Sequence, residues 1–226
     1  MSAGDIYGIL PVKSLGRAKR RLAGCLSPAG RRQLMLALYM TGLDALTAAL
    51  PAMQVAVVSH DETVLDVARR RGAYALPQAG YGLNAALEEG RAWALGQGAR
   101  AVLALLADLP LVSGVELQAM IERSAGGREA ILAPGQRGGT HALLLRPADW
   151  LAFAFGPNSF ARYAARVRAA GGRLVVYASQ ALAFDIDLPE DWIEAQRLRP
   201  ALTHMVLDAT DRDLRHPWPA RSAARR

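Results

Sequence analysis

The sequence predicts an α/β fold, a single domain built on a mixed, mostly parallel sheet with helices on both faces. Two observations carry this. Short aliphatic blocks alternate with helical patterns of ten or more residues, and the most apolar block, Ala101 to Ala107, lies between two such patterns and should be central. Length agrees, because 226 residues build one large core and are too few for two ordinary domains and a linker.

Taken in order, Ile6 to Val12 has the pattern of a first strand and stops at a basic, Gly-bearing loop, Lys13 to Gly24. Ser27-Pro28 supplies a helix cap followed by proline at the first helical position, and Leu34, Leu38, Leu43 and Leu46 carry that helix to about Leu50. Val55 to Ser59 follows as a buried strand, Glu62 to Arg71 as a helix, Tyr74 to Leu76 as a short strand and Leu83 to Leu95 as a helix. Beyond the central block, Ser113 to Ser124 is helical, and Ala130 to Ala133 and Ala142 to Leu145 are strands around a glycine-bearing turn. Asn158 to Ala170 is an amphipathic helix, Leu174 to Tyr177 a strand and Leu188 to Leu198 a last helix. After Pro200 periodicity fades. Residues 201–226 are expected to be a loosely docked basic extension holding Asp211, Arg212, Asp213, His216, Pro217, Pro219, Arg225 and Arg226, so the domain is placed at 1–200.

No apolar run approaches the roughly 20 residues that span a bilayer. The first five residues lack a secretory pattern, so the expected location is cytoplasmic, with no membrane partner. A single cysteine, Cys25, excludes an internal disulfide and offers no thiolate cluster. The net charge of +7 suggests an anionic partner, yet only two of the 27 basic residues are lysines. Lys13 and Lys19 share one loop at the end of the first strand. Lysine is a compact point charge suited to the phosphates of a nucleotide.

Carboxylates complete the chemistry. In an α/β sheet ligands bind beyond the carboxyl ends of the strands, and Asp108 follows the central strand directly. Asp185 and Asp187 are separated by one residue, so on an extended segment both point the same way, a spacing that suits one hard cation. Asp108, Asp185 and Asp187 together fit a magnesium site, with Lys13 and Lys19 neutralising a triphosphate and its departing pyrophosphate. Turns at Gly138-Gly139-Thr140 and Gly156-Pro157-Asn158-Ser159 could cradle a second phosphate or carboxylate, or be ordinary turns with Ser159 as a cap. Neither a P-loop nor a dinucleotide fingerprint is present.

The chain resembles the phospholactate guanylyltransferase family, which activates a phosphorylated three-carbon acid with GTP on the route to the deazaflavin coenzyme F-420. The resemblance rests on Leu10-Pro11-Val12-Lys13 with Lys19 and Arg21-Leu22, Gly82-Leu83-Asn84, Ala107-Asp108-Leu109-Pro110, Gly139-Thr140, Phe155-Gly156-Pro157 with Ser159-Phe160, and Asp185-Ile186-Asp187 with Pro189-Glu190-Asp191. It implies a single-domain nucleotidyltransferase fold, Rossmann-like and of the glycosyltransferase-A type, with GTP as donor and Mg2+ on Asp108, Asp185 and Asp187. It also implies that Leu10, Pro11, Lys13, Lys19, Gly82 and Asn84 serve the nucleotide, that Thr140, His141, Gly156 and Ser159 meet the acid, and that Lys13, Lys19 and Asp108 are the catalytic groups. A homodimer is left open, and no nucleic-acid partner is implied.

Two positions depart from the family pattern. Asn158 stands where glycine is common, a harmless change if the backbone is left-handed there. His141 stands in place of asparagine. It adds a larger donor beside Thr140 and leans the choice among 2-phospho-L-lactate, phosphoenolpyruvate and 3-phospho-D-glycerate toward the last; the alternative is a buried histidine satisfied by the backbone. Rival readings are a sugar-phosphate or molybdopterin nucleotidyltransferase, a glycosyltransferase, and a nucleic-acid-binding protein suggested by the high pI.

Overall fold

A computed structural model describes residues 5–207. Seven strands form one sheet: β1 (Ile6–Pro11), β2 (Val55–Ser59), β3 (Tyr74–Pro77), β4 (Ala101–Leu105), β5 (Glu129–Pro134), β6 (Thr140–Arg146) and β7 (Arg173–Val176), in the order β3-β2-β1-β4-β6-β5-β7. The apolar block at 101 is thus the middle strand, ending at Leu105 rather than Ala107. Only β6 runs against its neighbours, β4 and β5; the other pairings are parallel. Strand order reverses between β1 and β4, which opens a crevice beyond their carboxyl ends.

Helices cover both faces: α1 (Pro28–Ala49), α2 (Glu62–Arg70) and α4 (Gly114–Ile121) pack on one, α3 (Leu83–Gly96) and α5 (Ser159–Ala169) on the other. Strand periodicity sorts the side chains. Leu10, Val57 and Leu103 face the first layer, while Ile9, Val58 and Ala104 face the second. The Ser27 hydroxyl accepts from the Gly30 amide at 3.0 Å and Pro28 opens α1, as the sequence led one to expect. Gly90 of α3 is required for contact with β1, since an added Cβ would overlap the Ile9 side chain.

A third apolar cluster lies outside the sheet and positions the site. Leu22 and Leu26 of the first loop, Leu34 and Leu38 of α1, and Phe184 and Ile186 meet Trp192 of α7 (Pro189–Leu198) and Leu202 and Val206 of α8 (Pro200–Leu207). A short α6 (Gln180–Ala183) precedes Phe184. The expected loosely docked extension is therefore ordered at its start: Leu202 and Val206 are fully buried. Arg199 donates to the Thr41 hydroxyl at 2.8 Å and to the Pro110 carbonyl at 2.7 Å, which ties this end of the chain to the loop after Asp108. Asp211, Arg212, Asp213, His216, Pro217, Pro219, Arg225 and Arg226 lie outside the described residues.

Because Leu202 fills a closed part of this third cluster, Leu202→Ala is expected to lower unfolding free energy by about 3 kcal/mol. Urea denaturation measures it.

Candidate active site

The crevice is lined by loops leaving β1 and β4, by the start of β6 and by the segment between α6 and α7. At its centre Lys19 Nζ lies 3.0 Å from Asp108 Oδ2, with the lysine side chain only 7% exposed. Lys19 holds a left-handed backbone, φ 53°, a conformation that costs a residue other than glycine about 1 kcal/mol or more. That strain aims the ammonium inward from a loop whose next hydrophobic residue, Leu22, anchors it in the third cluster.

Asp108 Oδ1 is buried and has no hydrogen-bond partner among the described residues. Burial pushes the Asp108 carboxyl up, but the charges of Lys19 and His141 and the Lys19 hydrogen bond outweigh it and hold the group below the usual carboxylate range. Asp185 behaves oppositely. Its burial and the neighbouring charge of Asp108 raise it, against the pull of His141, Arg137 and Lys19. Two carboxylates that repel one another, one with an unpartnered buried oxygen, are hard oxygen donors of the kind a divalent cation takes.

The segment 184–187 is extended, and alternation explains its design. Phe184 and Ile186 are buried in the third cluster while Asp185 and Asp187 turn to the crevice side, and the Ile186 amide donates to the Asp108 carbonyl at 3.3 Å. The two aspartates are nonetheless engaged separately. Asp185 Oδ1 accepts from Arg137 Nη1 at 2.9 Å, whereas Asp187 pairs with Arg21. Among the described residues no group of three or more His, Cys, Asp or Glu side chains is gathered as a metal would need it. Asp108 and Asp185 are brought together; Asp187 is not part of a three-carboxylate set in this arrangement.

Other expected residues separate into lining and scaffold. Lys13 is exposed at the end of β1, and Leu10 and Pro11 are buried inside that strand, so their side chains belong to the core rather than to a nucleotide surface. The following loop is pinned by Asp61, whose Oδ2 accepts from the Leu15 amide at 3.0 Å. Gly82 starts α3 with φ 95°, and Glu89 holds the loop before it through the amides of Ala79 at 2.9 Å and Gly80 at 2.7 Å. Asn84 has both amide groups on the Phe155 backbone, at 3.1 and 2.8 Å, so it joins the two halves of the crevice. Thr140 and Ser159, both buried, share a hydrogen bond of 3.1 Å. Gly156 sits at φ 135° and Asn158 at φ 56°, the left-handed conformation that asparagine tolerates.

His141 corrects an expectation. Adjacent strand residues point to opposite faces, so His141 turns away from the Thr140 hydroxyl. Its Nδ1 is 2.8 Å from the Leu182 carbonyl, its Nε2 faces Asp185 at 3.8 Å, and Gly135 stands against its ring where a Cβ would overlap it. It is the backbone-satisfied buried histidine, beside a carboxylate.

Sequence reasoning missed Arg137 and its anchor. Arg137 Nη2 binds both oxygens of the nearly buried Asp191, at 2.5 and 2.6 Å, and Asp191 Oδ2 accepts from the amides of Asp187 at 2.9 Å and Leu188 at 2.7 Å. One arginine among 25 gives no compositional signal; Asp191, at the third position of a helix that begins with proline, was legible as an end-capping acid. The tryptophans favour packing over nucleic-acid stacking, since Trp93 stacks on Tyr74 at 4.9 Å between ring centres and Trp192 is buried.

A one-domain α/β sheet with its crevice at the β1/β4 switch point, basic loop and paired carboxylates is a nucleotidyltransferase architecture. A solved nucleotidyl transferase from Methanothermobacter thermautotrophicus superposes with a TM-score of 0.64 at 20% identity, covering 88% of this chain and 98% of its own. The chain belongs to the guanylyl transferase CofC-like family, which matches residues 6–196. Among relatives, the phosphoenolpyruvate guanylyltransferase of Rubrobacter xylanophilus is 46% identical over 188 residues, 83% of this chain and 91% of that protein. The 2-phospho-L-lactate guanylyltransferase of Methanothermobacter thermautotrophicus is 33% identical over 184 residues, 81% and 80%.

Raised by burial and by Asp108, the ionised Asp185 weakens the metal-free fold above its own pKa, and this penalty vanishes below the ordinary aspartate range. Asp185→Asn should therefore raise Tm by a few degrees at pH 8 in chelator. The gain should shrink toward pH 4, as followed by circular dichroism melts across that range.

Proposed function

We propose that the protein transfers GMP from GTP to the phosphate of a three-carbon phospho-acid, phosphoenolpyruvate first among them, and releases pyrophosphate on the route to coenzyme F-420. The observation that carries this reading is Asp108 at the mouth of the central strand, with one oxygen on Lys19 and the other buried without a partner among the described residues. Family membership supports guanylyl transfer. The 46% identical relative is named for phosphoenolpyruvate, and the turn of His141 away from Thr140 removes the reason to favour 3-phospho-D-glycerate.

Asp108 and Asp185 would hold Mg2+, which supplies neutralisation of the charge on the triphosphate and the leaving group. Lys19 is fixed at the floor of the crevice, and Lys13, exposed at its rim, can move onto phosphate oxygens. The loop before Gly82 gives the nucleotide a wall held rigid by Glu89. On the other side Thr140 and Ser159, joined through their hydroxyls beside the positive-φ turn at Gly156 and Asn158, would border the acid, with the positive end of the α5 dipole favouring its negative charge.

A phosphate oxygen of the acid attacks the α-phosphorus of GTP, and the bond from that phosphorus to the bridging oxygen of the β-phosphate breaks. Its electron pair leaves with pyrophosphate. The attacking phosphate is already anionic, so no side chain need remove a proton or form a covalent bond. Positioning and charge stabilisation are the protein's contribution.

Incubation with GTP, Mg2+ and each of the three acids, followed by pyrophosphate release and product mass, tests the reading. Guanylylated phosphoenolpyruvate is the expected product, and absence of product with all three acids would overturn the assignment. Asp108→Ala is expected to lower turnover by at least about 100-fold, with the circular dichroism spectrum unchanged.

A further inference from the structure

Each site aspartate has its own internal cation: Lys19 on Asp108, Arg137 on Asp185 and Arg21 on Asp187. The three cations differ in how far they are committed. Lys19 is buried and held by a strained backbone; Arg137 is 42% exposed at the side chain and sits on the turn between β5 and β6. That turn adjoins the proposed acid side, because the Phe160 amide donates to the Gly138 carbonyl at 3.3 Å and Thr140 follows three residues after Arg137.

We infer that Arg137 competes with a divalent cation for the Asp185 oxygen it holds, and that it turns to the anionic acid when the metal displaces it. The fork geometry makes the exchange feasible. Nη2 stays on Asp191, whose carboxylate is fixed by two backbone amides, while Nη1 alone must leave Asp185 Oδ1. An arginine so tethered keeps free donors in a fixed plane, which matches a phosphate or carboxylate. Arg137 is thus a positioning residue for Asp185 before metal binding and a specificity residue for the acid after it. This second role rests on the proposed function; the first does not.

The test separates them. Mn2+ binding to the enzyme without nucleotide or acid, followed by electron paramagnetic resonance, should tighten about tenfold in Arg137→Gln, because the competing cation is gone. In turnover assays the same variant should raise the KM for the acid at least tenfold while the KM for GTP stays within twofold. Arg137→Lys keeps the charge but not the fork, and should leave Mn2+ binding near wild type while still raising the acid KM. A merely structural role would weaken both bindings together. Unchanged or weaker Mn2+ binding in both variants, or an unchanged acid KM, would overturn the inference. Inactivity of the wild type with every acid would instead count against the proposed function and leave the Mn2+ measurement to decide the competing role.

Discussion

The arrangement of this site depends on one constraint: Lys19 and Asp108 must meet across the crevice although they come from loops after different strands, 89 positions apart. An ion pair this sheltered contributes little net stability unless its geometry is fixed, because both charges give up water. Fixation comes from apolar packing. Leu22 and Leu26 hold the lysine loop against α1, the same cluster holds Phe184 and Ile186, and the Ile186 amide reaches the Asp108 carbonyl. The third cluster, lying beyond the sheet, thus places the basic loop, the strand-end carboxylate and the Asp185–Asp187 segment relative to one another.

Charge balance follows from this placement. Two carboxylates, Asp108 and Asp185, crowd the mouth of the sheet, and without internal cations their repulsion would act against folding. The raised carboxyl of Asp185 marks the residual strain of that crowding, and the unpartnered oxygen of Asp108 marks where compensation is incomplete. Sites that hold such tension before ligand binding trade stability for function. Here the tension sits at the two carboxylates proposed to take the metal.

Much of the fold was legible in the sequence. Alternation of aliphatic blocks with helices led to the sheet, and the apolarity of Ala101 to Ala107 marked its middle strand, which ends two residues earlier at Leu105. Asp108 and Lys19 stood out because one ends that strand and the other is a rare lysine, and they meet. Leu10 and Pro11 turn their side chains into the core, so any part they take at the nucleotide falls to their backbone, which a motif alone does not tell. His141 and Thr140 were wrongly grouped for a related reason, since neighbours in sequence are on opposite faces of a strand. Arg137 was invisible because its partners, Asp185 and Asp191, are 48 and 54 positions away, and nothing local distinguishes it from other arginines. Beyond Pro200 the periodicity fades, so α8 was not foreseen, and the burial of Leu202 and Val206 depends on a groove that the third cluster defines.

If Lys19 and Asp108 act as one unit, removing either should cost nearly what removing both costs. A double-mutant cycle on kcat/KM with Lys19→Met, Asp108→Asn and the combined variant measures this directly. The expected result is a double variant no worse than the poorer single one within about threefold. Losses that multiply, so that the double variant falls by the product of the two single effects, would contradict the account.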